Sequence, residues 1–352
     1  MKTGRTLTEL AAELYRQQMS KRDFIVATEA MQMEESAELF SLTRPLASGM
    51  REVTPYNMTP LFHRQLGGSL GIPAKYYDKM LAEYPELLAE NVNGWFRRNP
   101  NKHTIRTLDG TARAFLSDRY RRIDNYEVAQ TTLPIIGEMA GARVESCEVT
   151  ETRMYIKVVN TRLEAEVQKG DIVQAGIVIS NSEVGLGSVT VSPLVYRLAC
   201  LNGMIVNDMG KRKYHIGREN EESWELYSDA TMEAEDTAFM LKLGDIVRTA
   251  VDEARFARVV DSLKKAADIP IFGRVPDVVE LTSRQFGFNE NEQTDILQHL
   301  ISGGDLSLYG LSGAVTRTAA DVESYDRASN LEAAGWQIAT MPQEMWRTVN
   351  GV

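Results

Sequence analysis

Thr104-Ile105-Arg106-Thr107-Leu108-Asp109-Gly110-Thr111-Ala112-Arg113-Ala114-Phe115-Leu116 is the stretch on which the reading of this chain turns. Two strand-prone runs flank Asp-Gly, a dipeptide that accepts the positive φ angles of a two-residue hairpin turn. The expected register sets Leu108 opposite Thr111, Thr107 opposite Ala112 and Arg106 opposite Arg113. Like charges directly across an antiparallel pair repel, so the two arginines need an explanation. An anion over that face would supply one, and a nucleic-acid phosphate is the simplest. Splaying into water, or acidic partners elsewhere in the chain, would supply another.

The surroundings of the hairpin favour the anion. Between Trp95 and Arg122 stand eight bases (Arg97, Arg98, Lys102, Arg106, Arg113, Arg119, Arg121 and Arg122) against Asp109 and Asp118, a net of +6 within a chain of net charge -10. A second basic knot is Lys211-Arg212-Lys213, and directly after it Glu219 to Asp245 carries nine acids and one lysine. The overall charge argues against indiscriminate coating of nucleic acid, while the segregation permits a local anion-binding groove. Trp95, Phe96, Phe115 and Tyr120 interleave with the bases, and Tyr126 follows them. Single-strand binding uses such pairs of charge and stacking ring, with Tyr120 and Phe96 the leading candidates here. Phe115, between Ala114 and Leu116 in a strand, reads equally well as core.

Outward from the hairpin, residues 1–60 read as a loosely organised lead with one early helix. Pro73 and Pro85 each open a short helix. Asn125 to Met139 reads as a helix capped by Asp124 and broken near Pro134. Arg143 to Val159 forms a hairpin, Asp171 to Ser182 and Gly187 to Ser192 further strands, and Trp224 to Ala267 a long helix or helix pair. The expected class is α+β: a central, mostly antiparallel sheet with short N-terminal helices and a long helical C-terminal half. The segments are 1–60 as an extension, 61–218 as an α+β core with the basic hairpin, 219–275 as a long helical stretch and 276–352 as a helical region.

Other chemistries find little support. No glycine-rich phosphate loop is followed by Lys-Ser/Thr, the four histidines are scattered, and Cys147 and Cys200 are too few for a disulfide framework or a four-cysteine zinc site. No apolar run is long enough for a membrane helix, and no secretory signal is visible, so a cytoplasmic location is expected.

Several motifs carry a family resemblance. They are Gly71-Ile72-Pro73-Ala74-Lys75-Tyr76-Tyr77, Ala89-Glu90-Asn91-Val92-Asn93, Arg106-Thr107-Leu108, and Arg113 through Arg121. Later come Arg197-Leu198-Ala199-Cys200-Leu201-Asn202-Gly203, Thr316-Arg317-Thr318-Ala319-Ala320 and Ser324-Tyr325-Asp326-Arg327-Ala328. In this order they resemble the phage/plasmid-like proteins of domain of unknown function 932, over about residues 60–340. Lys213-Tyr214-His215-Ile216-Gly217 stands where that family has an Arg-His-Thr element. The resemblance implies carriage on a mobile element and hands over no catalytic residue. The plan is also similar to that of phage proteins that anneal single strands, an analogy of fold.

The expectation is therefore a non-enzymatic, mobile-element protein that binds single-stranded DNA rather than RNA. It would act as a homo-oligomer (ring or filament), promote annealing or recombination, and need no cofactor, metal or membrane. The contacting residues would be Arg97, Arg98, Lys102, Arg106, Arg113, Arg119, Tyr120, Arg121, Arg122, Lys211, Arg212 and Lys213. The alternatives are a regulatory or protein-interaction factor of a phage or plasmid, and an unrecognised metal-dependent nuclease or hydrolase.

Overall fold

The computed structural model describes residues 1–45, 50–206 and 229–351. The chain segregates into two compact units that interleave in sequence: Ala12–Tyr126 with Ser182–Gly187, and Met1–Ala11 with Glu127–Asn181 and Ser188–Val352. The expected boundaries at residues 60, 218 and 275 do not coincide with these. The α+β class holds, with two sheets in place of one central sheet.

The hairpin belongs to the smaller unit. That unit contains α1 (Leu7–Ser20), β1 (Arg22–Ala27), β2 (Met31–Met33), β3 (Leu39–Pro45), β4 (Arg51–Met58), α2 (Pro60–Ser69), α3 (Ala74–Glu83), α4 (Pro85–Arg98), β5 (Lys102–Leu108) and β6 (Thr111–Ser117), with α1 beginning before its first residue. The sheet order is β1-β5-β6-β4-β3-β2. The segment expected to be a loose lead thus supplies four of six strands. Its runs are short and weakly patterned, and only long-range pairing with β5 and β6 turns them into sheet. The two edge strands are consecutive, joined by the single 3-10 turn Thr28–Ala30. Three residues reach about 11 Å, so the sheet must curl until its edges approach.

The curl encloses Phe40, Phe62, Phe96, Phe115, Ile105 and Leu88. Asn93 of α4 covers the free edge of β2: the Met33 N–H donates to Asn93 Oδ1 at 2.9 Å, and Asn93 Nδ2 donates to the Met33 carbonyl at 2.8 Å. One carboxamide thereby stands in for a neighbouring strand, which protects an edge from foreign pairing.

The larger unit holds α5 (Asn125–Glu138), whose first residues fall before it, then β7 (Ala142–Val149), β8 (Met154–Gln168), β9 (Asp171–Asn181), β10 (Thr190–Arg197) and β11 (Asn202–Ile205). These strands form an antiparallel meander. Helices α6 (Asp229–Thr249), α7 (Glu253–Ala267), α8 (Val275–Phe286), α9 (Glu290–Gly303), α10 (Leu308–Thr318), α11 (Tyr325–Ala339) and α12 (Gln343–Asn350) follow. Pro134 does not break α5, which runs through it. Proline offers no N–H to the carbonyl of Gln130 one turn back, and Gln130 is exposed. Among the described residues no helix is long and apolar enough to cross a membrane.

Candidate nucleic-acid interface

The Asp109-Gly110 turn forms as expected, with φ of 50° and 77°. Leu108 pairs with Thr111 and Thr107 with Ala112, but Arg106 then pairs with Ala114, because a β-bulge makes Arg113 the extra residue. The expected Arg106–Arg113 pair does not exist. A bulge re-aims side chains, and both guanidinium groups here reach Glu183.

Arg106 is fully buried. Its Nε and Nη2 donate to the two oxygens of Asp23 at 3.0 and 2.9 Å, Nη2 also donates to Asp124 Oδ1 at 2.5 Å, and Nη1 donates to the Glu183 carbonyl at 2.9 Å. Arg113 Nη2 donates to Glu183 Oε2, Lys21 pairs with Asp124, and the Asn125 N–H donates to Glu183 Oε1 at 2.7 Å. Three bases thus meet three acids in a neutral, largely buried cluster. Burial alone would raise the Asp124 carboxyl, but Arg106 and Lys21 outweigh it and hold the group below its ordinary range. With its charge compensated and Arg106, Arg113 and Glu183 buried, the cluster holds the Ser182–Gly187 loop rather than a ligand. Tyr120 and Gln65 complete the grip, donating to the carbonyls of Ser182 at 3.2 Å and Val184 at 2.7 Å.

The aromatic candidates divide. Phe96 and Phe115 lie in the core, stacked on each other at 6.3 Å. Tyr120 is half-buried, its hydroxyl committed to Ser182, and Tyr126 packs on Tyr15. Trp95 is exposed.

Of the basic candidates, Arg97, Arg98, Lys102, Arg119 and Arg122 are exposed and Arg121 is half-buried. The first four gather because β5 begins at Lys102 and β6 ends at Ser117, with His103 opposite Ser117. Arg97 and Arg98 close α4 just before β5, and Arg119 stands just after β6. Among the described residues no hydrogen bond or ion pair engages the side chains of Arg97, Arg98 or Lys102. Arg122 lies 4.0 Å from Asp23. Exposed Glu29 and Asp118 temper this end. Lys211, Arg212 and Lys213 lie outside the described residues.

The sequence reading missed Lys21, Asp23 and Glu183, which are ordinary charged residues until the fold brings them to Arg106. The carboxylate of Asp124, expected as a helix cap, bonds Arg106 and Lys21. Among the described residues no group of three His, Cys, Asp or Glu side chains is arranged to hold a metal.

The later motifs of the chain are accounted for by packing in the larger unit. Arg197 forms a two-pronged pair with Asp171 at 2.7 Å, which also accepts from the Tyr309 hydroxyl at 2.8 Å. Asn202 donates to Thr316 Oγ1 at 2.6 Å. Ser324 caps α11, Tyr325 meets Ser146 Oγ at 2.7 Å, Asp326 binds Thr150 and Thr152 in the β7–β8 turn, and Arg327 pairs with Glu292 at 2.6 Å. Ser324 closes the helix's own first turn, while Tyr325, Asp326 and Arg327 tie α11 to β7, the β7–β8 turn and α9.

Residues 114–224, about a third of the chain, match the family described as a domain of unknown function (DUF932). The shown match is thus narrower than the span over which the motifs suggested it. No curated protein and no solved structure matches the chain.

Proposed function

We propose that this chain binds single-stranded nucleic acid, DNA in preference to RNA, and promotes strand annealing as an oligomer encoded by a mobile element. The observation that supports this reading is the set of exposed bases Arg97, Arg98, Lys102 and Arg119 at one end of the curled sheet, with exposed Trp95 one turn back on α4. Backbone tracking needs several modest charges in open solvent, and a ring nearby offers a stacking platform. Arg106 and Arg113 are not part of the binding set, because their charges are satisfied internally.

The test is fluorescence anisotropy of a labelled strand of about 40 nucleotides, titrated at several salt concentrations. Binding should weaken linearly in log salt by about 0.7 per phosphate contact, so Arg98→Glu/Lys102→Glu should lower that slope by about 1.4. Unchanged affinity and slope in that variant, or flat anisotropy with folded protein at micromolar concentration, overturns the reading and turns the search to a protein partner. Divalent-metal-dependent shortening of the strand would turn it to a hydrolase.

A further inference from the structure

The larger unit holds a small cavity of about 10 Å³ between strands β9–β11 and helices α7 and α10. Val173, Val195 and Leu263 wall it, with the polar residues Arg197, Asn202 and Thr316. All of these but Arg197 are at most 4% exposed. Arg197 and Asn202 stand directly opposite each other on β10 and β11, so their side chains leave the sheet on one face. The hydrogen bonds fix how the Asn202 carboxamide is turned. Thr316 Oγ1 has one proton and donates it to the Gly313 carbonyl at 3.0 Å. It can then only accept from Asn202 at 2.6 Å, so the atom facing it is Nδ2, which also reaches the Gly313 carbonyl at 3.3 Å. Asn202 Oδ1 is left with no partner among the described residues. The Arg197 guanidinium has the complementary surplus. Its Nε and Nη2 hold the two oxygens of Asp171, each at 2.7 Å, and Nη1 has no hydrogen bond among the described residues. A Cβ at residue 313 would lie 2.8 Å from Nη1, so Gly313, also at the wall, leaves that nitrogen its place.

We infer that this cavity is the binding site of one structural water molecule, which accepts from Arg197 Nη1 and donates to Asn202 Oδ1. About 10–15 Å³ is the least volume that holds a water, and a buried water needs two to four polar partners. Here an acceptor and a donor share one small space, and the remaining wall is apolar and offers neither of them another partner. A buried carbonyl oxygen left unpaired costs more than the entropy of fixing one water, so the bridged state is the favoured one. The volume excludes a larger ligand, and the guanidinium beside it repels a cation. Through this water Arg197 and Asn202, both in the motif Arg197–Gly203, close a hydrogen-bonded ring that joins β10 and β11 to α10. The inference goes beyond the nucleic-acid reading and does not need it.

A high-resolution crystal structure of the full chain tests it. The expected result is a density peak about 2.7–3.2 Å from both Asn202 Oδ1 and Arg197 Nη1. Two variants separate a bonded water from a peak of other origin. Asn202→Leu keeps a side chain of similar size and removes the acceptor, so the peak should vanish. Val173→Ile adds one methylene group at the wall and should expel the water, leaving Asn202 Oδ1 unpaired. Its folding equilibrium constant in a urea titration should then fall about tenfold. Filling an unoccupied apolar hole would have the opposite sign, because it restores lost packing. If Asn202→Leu does not fold, the wild-type density and the Val173→Ile titration decide. No peak in the wild-type cavity, a peak that persists at full strength in Asn202→Leu, or a Val173→Ile protein no less stable than wild type overturns the inference.

Discussion

Replacing Arg106 by methionine should unfold the smaller unit far more readily than it changes any interaction at the surface. The side chain is fully buried and makes four hydrogen bonds to Asp23, Asp124 and the Glu183 carbonyl. Its removal leaves half-buried Asp23 and Asp124 without the guanidinium they share. Breaking a buried ion pair from one side costs about 3–5 kcal/mol, because the remaining charge has lost both water and partner. Arg16→Ala, which breaks an exposed pair with Asp109, should cost under about 1 kcal/mol. For a unit of this size, near 120 residues, the Arg106 loss corresponds to a melting shift of roughly 10–20 °C. The pH dependence carries a sign. In the wild type Asp124 is held below its ordinary 3.8, so its contribution is present above that value and lost as pH falls through the folded value. Without Arg106, burial prevails and the carboxyl rises, so the variant loses stability as pH increases. The gap between wild type and variant should therefore narrow on going from pH 7 to about 5. Urea denaturation followed by near-ultraviolet circular dichroism at both values measures it. A loss below 1 kcal/mol, or a gap that widens in acid, refutes the assignment of Arg106 to a buried neutral cluster.

Lys157→Met should destabilise the larger unit by about 3–5 kcal/mol, since Lys157 and Glu332 are both fully buried and pair at 2.6 Å. Adding Glu332→Leu should recover most of that loss, and urea midpoints of both variants decide it. Asn93→Ala strips the edge of β2 of two hydrogen bonds and should cost about 1–3 kcal/mol. Protection of the Met33 amide against hydrogen exchange should fall with it. Burial lowers both His63 and His103, so the unfolded chain takes up protons first below pH 6.5 and stability falls as pH drops through that range. His63→Gln/His103→Gln should flatten the fall in a stability–pH series.

Local chemistry made parts of the fold legible. Asp109-Gly110 demands positive φ at two successive residues, so the hairpin and its first two pairs could be read directly. Pro85 opens a helix because it lacks only an N–H that a first turn does not use. The tryptophan, arginine and lysine pattern of 95–122 correctly marked the chain's most basic window. Beyond the second pair the local reading failed, since the bulge at Arg113 adds nothing to the sequence pattern and changes which residue faces which.

What the amino-acid order determined by itself is therefore what neighbours a few residues apart can decide: turns, helix starts, strand-prone runs and local charge. The tertiary structure decided the rest. Asp23, Asp124 and Glu183 lie 83, 18 and 77 residues from Arg106, and only the folded unit brings them within hydrogen-bond reach. Four short strands before residue 60 became sheet because β5 and β6 offered unpaired backbone groups. The charges that read as a ligand site were split in the same way. Arg106 and Arg113 turned inward, where low dielectric makes an acid partner obligatory, while Arg97, Arg98, Lys102 and Arg119 were left in water at one end of the sheet. Which of two identical side chains is buried and which is exposed is a property of the folded chain alone.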